Sequence, residues 1–304
     1  MASVTVPATA AVRPGVRAMG SDGTPIRYWR EVEHSTRVPP VSGPAGVLAL
    51  VLAETAAGGA GLLFLTPLWG EVRRGFFLLT GFVVAALAFA TAGSAAAGFD
   101  PNTAPAGRTA MFLSVALGAS TLLWIALIIA RRSAAARVLG IATVPLALAM
   151  LLLFAHATRE GFAVSAFQLL AGAAFTGAVL DGLLLGHWYL TDRKLTRAPI
   201  NRMAWLLIGS VALEAVAVLV GGIGSNGRPG PSAAGSISAL LTVAGNATWI
   251  AFGMVACTGL IAGFIRASLK GLRPTAVQSA TGFFYLAVIT ALTAELAAKV
   301  RFLP

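Results

Sequence analysis

Residues 45–67 read AGVLALVLAETAAGGAGLLFLTP, an apolar run interrupted by a single charged residue, Glu54. About twenty consecutive apolar residues cross the hydrocarbon core of a bilayer as an α-helix. Seven further segments meet the same criteria of length and polarity, at residues 75–97, 109–130, 136–156, 162–187, 202–224, 236–264 and 276–298. The sequence therefore predicts an all-α integral membrane protein, a bundle of about eight transmembrane helices with short loops.

The composition of the 304-residue chain agrees with this fold class. Charged residues make up only 11% of it, whereas a soluble domain has roughly a quarter. The formal net charge of +11 does not indicate nucleic acid, because most Lys and Arg lie between apolar segments, where they orient the helices. The single cysteine, Cys257, excludes an intrachain disulfide and a Cys-based metal site or iron–sulfur cluster within this chain.

The beginning of the chain differs from the remainder. Residues 1–43 contain Pro, Gly, Ser and charged residues but no long apolar run. They also lack the basic start, hydrophobic centre and small-residue cleavage site that a secretory signal peptide has in that order. The sequence predicts an extramembrane N-terminal tail at 1–43 and a polytopic transmembrane helical domain at 44–304.

Basic residues concentrate in alternate connections, after the first, third, fifth and seventh segments. These residues are Arg73, Arg74, Arg131, Arg132, Arg137, Arg193, Lys194, Arg197, Arg202, Arg266, Lys270 and Arg273. Because basic loops stay in the cytoplasm, we expect a multi-pass protein of the inner (plasma) membrane with both termini on the non-cytoplasmic side. The arginines of the tail and the terminal Lys299 and Arg301 argue against this orientation.

Three carboxylates lie well inside the predicted spans, where a charge costs at least a few kcal/mol. Glu54 and Glu214 come out at comparable mid-membrane depth, and Asp181 lies closer to the cytoplasmic side. They form a candidate proton path, because buried carboxyl groups can hold and release protons. The alternative is that each is permanently protonated and fastens neighbouring helices. Glu295, near the outer end of the eighth span, is a weaker candidate because it can reach the interface.

The fifth span carries a stripe of small residues as well as Asp181. Four glycines recur every four or five residues, at Gly172, Gly177, Gly182 and Gly186. This spacing predicts a face on which other helices approach closely. Gln168 lies on the same span, and a hydrogen bond between helices is the favoured interpretation of its amide.

The histidines bear on the choice of cofactor. His156 ends the fourth span on the outer side and His187 ends the fifth on the inner side. Most of a bilayer separates them, so we expect no haem bound by this chain alone. His187, with Trp188 and Tyr189, forms a candidate quinone contact at the cytoplasmic boundary, and His156 offers the same chemistry on the opposite face. An interfacial aromatic belt explains Trp188 and Tyr189 without any ligand.

Three functions remain open. The favoured one is a membrane subunit of a respiratory or other redox complex, which interacts with quinone or conducts protons alongside other membrane or peripheral redox subunits. In number of spans and length the chain resembles the membrane subunits of the polysulfide reductase class, which implies such a role by architecture alone. A proton-coupled transporter would also need buried carboxylates, but broken helices are expected in both of its halves, and only Pro145 lies well inside a span. In a structural or assembly subunit, the acids would serve packing alone.

Overall fold

The computed structural model describes residues 41, 43–100, 102–158, 160–191, 195–224, 243–271 and 275–300. Long helices dominate this part of the chain: α1 (Gly43–Leu65), α2 (Arg74–Gly98), α3 (Pro105–Ile129), α4 (Ser133–His156), α5 (Phe162–Thr191), α6 (Ala198–Gly224), α7 (Val243–Lys270) and α8 (Ala276–Lys299). All eight are long and apolar enough to cross a membrane. The prediction of an eight-helix all-α bundle is confirmed, and the chain is a multi-pass membrane protein.

Observed helix ends differ from the predicted ones by a few residues. At its C-terminal end, α7 continues to Lys270 although the predicted span ends at 264. Arg266 lies in this extension, where its guanidinium sits 5.2 Å from the Trp205 ring centroid and donates a hydrogen bond to Asn201 Oδ1. Polar and aromatic partners on α6 therefore hold the helical turn that follows the apolar run.

Helix α1 begins at Gly43, two residues before the predicted span 45–67. Val41 forms an isolated antiparallel bridge with Phe99, just after α2. Residues 1–40 and Ser42 of the predicted tail lie outside the described residues. The division into tail and membrane domain stays a prediction.

The eight helices pack as two groups of four. In each group consecutive helices pack together and the last returns to the first, so α4 contacts α1 and α8 contacts α5. Each group has its own hydrophobic core, the first around residues such as Leu117 and Phe154, the second around Ile265 and Phe284. The groups meet mainly where α1 packs against α5, with further contacts of α1 to α8 and of α4 to α5.

Helices α1 and α5 form the centre of the bundle and are its most buried members. They approach closely through glycine: a Cβ on Gly58 would lie 1.8 Å from the carbonyl oxygen of Ala173, and one on Gly177 would lie 2.5 Å from the Gly58 carbonyl carbon. Gly182 and Gly186 likewise lie against Phe284 and Thr281 of α8. The predicted packing role of the glycine stripe on α5 is confirmed.

The peripheral helices turn large apolar side chains outward. Half or more of the side-chain surface is exposed at Phe112, Leu123, Ile141, Leu260 and Ile289. Exposed apolar surface on this scale would be unfavourable in water, whereas contact with lipid chains is favourable for it. The expected contact with a bilayer follows from this surface.

Candidate functional site

The centre of the bundle holds three buried charged side chains, two glutamates and one lysine. Lys299 Nζ lies 2.7 Å from Glu54 Oε1 and 2.8 Å from Glu295 Oε2, and it donates a hydrogen bond to Glu295. The side chains of all three are at most 1% exposed. We call Glu54, Glu295 and Lys299 the central cluster.

Two helices bring the central cluster together. Glu295 and Lys299 are four residues apart and therefore project from the same face of α8, with Lys299 as its last residue. Glu54 lies about 16 Å from the beginning of α1 at 1.5 Å per residue, near the midpoint of that helix. The end of α8 therefore lies inside the bundle, opposite the middle of α1.

A third helix makes room for the two carboxylates. Gly172 of α5 faces them, and a Cβ at this position would lie 2.6 Å from Glu54 Oε1 and 3.0 Å from Glu295 Oε2. Any larger residue would require at least the Glu54 carboxylate to shift. The first glycine of the predicted stripe thus shapes the charged site.

Glu214 of α6 adjoins the central cluster. Its side chain is buried, and it is close enough to interact electrostatically with both Lys299 and Glu54. Gln168 of α5 lies on the same side, where its amide nitrogen donates a hydrogen bond of 3.4 Å to the Ala217 carbonyl oxygen, one turn beyond Glu214. The structure thus gathers carboxylates from α1, α6 and α8.

Asp181 is not part of this group. It lies on α5, about 14 Å along the helix from Gly172, and its side chain is fully buried. Neither of its carboxylate oxygens makes a hydrogen bond to a described residue. A step between Asp181 and the central cluster would therefore need intervening groups or water.

The aromatic residues next to His187 are engaged in packing. The Trp188 ring lies against Gly75 at the start of α2, where an added Cβ would be 2.0 Å from Cη2. Tyr189 is buried and its hydroxyl donates a hydrogen bond to the Thr196 carbonyl oxygen. His187 itself is exposed and Trp188 is half-buried, so His187 is the most exposed member of the trio.

His156 ends α4 beside the start of α5, whereas His187 lies near the other end of α5. His156 is exposed and its ring sits 6.1 Å from that of Phe162, the first residue of α5. His187 follows 25 residues later, about 37 Å along the helix. They do not converge on one site, and the remaining histidine, His34, lies outside the described residues.

A second ion cluster lies at the end of the bundle where α1 ends and α6 begins. Glu71 Oε1 lies 3.1 Å from Arg202 Nη1, and its Oε2 accepts a hydrogen bond of 2.5 Å from Thr196 Oγ1. The Arg202 guanidinium also lies 5.5 Å from the Trp69 ring centroid. We call Glu71, Arg202, Thr196 and Trp69 the boundary cluster; it links the two groups of four helices.

Two members of the central cluster were misjudged from the sequence. Glu295 was expected to reach the interface, but it is fully buried against Lys299. Lys299 entered the sequence analysis only as a basic residue that argues against the predicted orientation, whereas the structure buries it. The i,i+4 spacing of Glu295 and Lys299 is the signal that could have indicated a pair on one face of α8.

No group of three His, Cys, Asp or Glu side chains suited to a metal ion occurs within the described ranges. The chain matches no protein-family model and has no significant match among curated proteins or solved structures. Functional interpretation therefore starts from the geometry of the bundle itself.

Proposed function

We propose that this protein transfers protons across or into the membrane as a membrane subunit of a redox complex, with the central cluster as the group that holds the proton. The observation that carries the proposal is Lys299 between two carboxylates, at 2.7 and 2.8 Å, in the middle of the bundle. A redox complex uses such a site to couple proton movement to electron transfer in its partner subunits.

The charge balance of the cluster favours proton exchange. Two carboxylates and one ammonium leave one negative charge in excess, which is costly in a medium of low dielectric. One added proton removes this excess and can reside on either Glu54 or Glu295. Because Lys299 is almost equidistant from both, its ammonium can pair with whichever carboxylate is ionised while it retains its own three protons.

Further polar groups from α5 and α6 lie beside the central cluster. Glu214 brings an additional carboxyl group from α6, and the Gln168 carbonyl oxygen is buried without a hydrogen-bond partner among the described residues. Such acceptors can hold a water molecule that passes a proton. Asp181 lies farther along α5, on the side of the central cluster that faces the boundary cluster. Water molecules would have to carry a proton between Asp181 and the central cluster.

The redox assignment rests on features outside the cluster. The described connections between helices are short, no catalytic motif of a soluble enzyme occurs in the sequence, and His187 is exposed near the end of α5. A histidine there can donate a hydrogen bond from its ring N–H to a quinone carbonyl oxygen. Electron-carrying partner subunits would supply the redox centres.

Infrared difference spectroscopy of the purified protein tests the proton-holding step without requiring a partner. A pH change should alter the carbonyl stretch of a protonated carboxyl group in the unmodified protein. We expect Glu54→Gln and Glu295→Gln each to alter or remove this band, and Glu71→Gln at the boundary cluster to preserve it. A band that both central variants leave unchanged would exclude the central cluster as the proton-holding group.

The redox role requires the complex as it occurs in the native membrane. Gentle purification should bring cytochrome or iron–sulfur subunits with this chain, and quinol-dependent turnover should fall in Glu54→Gln while the subunits remain associated. Normal turnover and normal proton movement in Glu54→Gln and Glu295→Gln would refute the proposal.

A proton-coupled transporter is the second candidate, because the bundle consists of two four-helix groups with parallel helices α1 and α5 at their contact. Transporters built from two such groups place their binding sites near the midplane where the groups meet, which is where the central cluster lies. Proton uptake by proteoliposomes containing only this chain, dependent on an added solute, would favour transport over the redox role.

A further inference from the structure

A cavity of about 450 Å³ opens between α1, α2, α3 and α4, in the first group of helices. It lies at the end of the bundle where α1 and α3 end and α2 and α4 begin. Its apolar walls include Phe64, Phe77, Trp124 and Ile141. The Phe64 and Phe77 rings pack edge-on against Trp124, with centroids 5.0 and 6.3 Å away.

Two arginines line the same cavity. Arg74 is the first residue of α2 and donates a hydrogen bond to the Ile128 carbonyl oxygen, which orients its guanidinium toward the end of α3. Arg137 lies in the first turns of α4. Both side chains are exposed at this end, and no Asp or Glu is among the residues that line the cavity.

We propose that this cavity binds the headgroup of an anionic phospholipid, with the phosphate between Arg74 and Arg137 and part of one acyl chain against the aromatic wall. Arginine binds phosphate oxygens through paired N–H donors. Basic pockets between transmembrane helices at the cytoplasmic side suit anionic lipid headgroups. The site is separate from the central cluster, which lies near the midpoint of α1.

Charge and shape together favour a lipid over free phosphate. Free phosphate would satisfy the arginines but leave the apolar wall of Phe64, Phe77 and Trp124 uncovered. An apolar solute would cover that wall but leave the two guanidinium groups without an anion. A phospholipid satisfies both, because its phosphate can bind the arginines while an acyl chain covers the aromatic rings.

The test measures the thermal stability of the detergent-purified protein with added lipid. Phosphatidylglycerol should raise the melting temperature, whereas phosphatidylcholine and inorganic phosphate at the same concentration should not. Arg137→Gln should raise the half-maximal lipid concentration by at least about fivefold, because it removes a charge-assisted hydrogen bond to the phosphate. Arg132→Gln, an exposed arginine at the same end that does not line the cavity, is the matched control.

A steric variant gives an independent measurement. Ile141→Trp replaces an aliphatic side chain of the apolar wall with a larger aromatic one, without changing the charge. Because the larger side chain occupies part of the cavity, we expect it to weaken binding of phosphatidylglycerol as well. Equal stabilisation by phosphatidylcholine, or by inorganic phosphate, would overturn the anionic lipid as the occupant. An equal loss of binding in Arg132→Gln and Arg137→Gln would overturn the cavity as the site.

Discussion

The central and boundary clusters both pair Glu with a basic side chain, and they differ in their surroundings. Lys299 and its two glutamates are at most 1% exposed, whereas Arg202 and Glu71 are 45% and 27% exposed. An exposed ion pair contributes little because water and salt screen it. A buried pair becomes costly when one partner is removed, because the other charge stays in a medium of low dielectric.

The clusters also differ in how they are assembled. The boundary cluster joins side chains from the segments that connect α1 to α2 and α5 to α6 with Arg202 near the start of α6. The central cluster is held by three helices, including a glycine on α5 that no side chain could replace without moving a carboxylate. Burial and fixed geometry suit proton storage, whereas the boundary cluster suits a contact between the two groups of helices.

Removing the lysine should have the largest effect. Lys299→Met leaves two carboxylates without their ammonium, and we expect a loss of about 3–5 kcal/mol in the free energy of unfolding. Denaturant titration in mild detergent measures it. Lys270→Met is the matched control, because Lys270 also ends a helix but is exposed. Similar losses in the two variants would contradict the buried ion pairing.

Filling the space at Gly172 should have the second-largest effect on the free energy of unfolding. Gly172→Ala pushes against Glu54 Oε1, and overpacking of this kind costs about 1–3 kcal/mol. Gly61→Ala is the control, since a Cβ there meets no atom within 4 Å. The same titration should show a loss for Gly172→Ala and none for Gly61→Ala. An unchanged infrared carboxyl band in Gly172→Ala would show that the glycine does not set the carboxylate geometry.

Neutralising one carboxylate should affect function more than stability. Glu295→Gln keeps an acceptor for Lys299 and leaves one carboxylate for one ammonium, so we expect at most about 1–2 kcal/mol of destabilisation. Proton transfer should nevertheless fall strongly, because the second proton-holding group is gone. Unfolding and proton uptake measured on the same preparation separate these effects, and retained proton uptake would contradict the role of Glu295.

The smallest effect is expected at the boundary cluster. Arg202→Gln should lower the free energy of unfolding by about 0–1 kcal/mol, and high salt should remove the difference from the unmodified protein because exposed charges are screened. Salt should leave the effect of Lys299→Met almost unchanged. A large, salt-independent effect of Arg202→Gln would show that the boundary cluster is less accessible than its exposure indicates.

Much of the fold could be predicted because each span carries its own signal. Hydrocarbon thickness sets the length of an apolar run, and eight such runs correspond to eight helices. Helix ends were less predictable, as α7 shows, because partners such as Trp205 and Asn201 hold a turn that hydropathy does not mark. The grouping of the helices into two sets of four could not be read from the spans, since it depends on contacts between distant segments.

The sequence by itself determined that this is a membrane bundle, that Glu54 and Glu214 lie within it, and that α5 has a face of small residues. Tertiary structure decided that Lys299 belongs with Glu54 and Glu295, and that Asp181 stands apart from them. The physical reason is that hydropathy reports the environment of a segment averaged along its length. The position of a charge at a helix end depends instead on how far that helix penetrates among its neighbours, and only packing sets that depth.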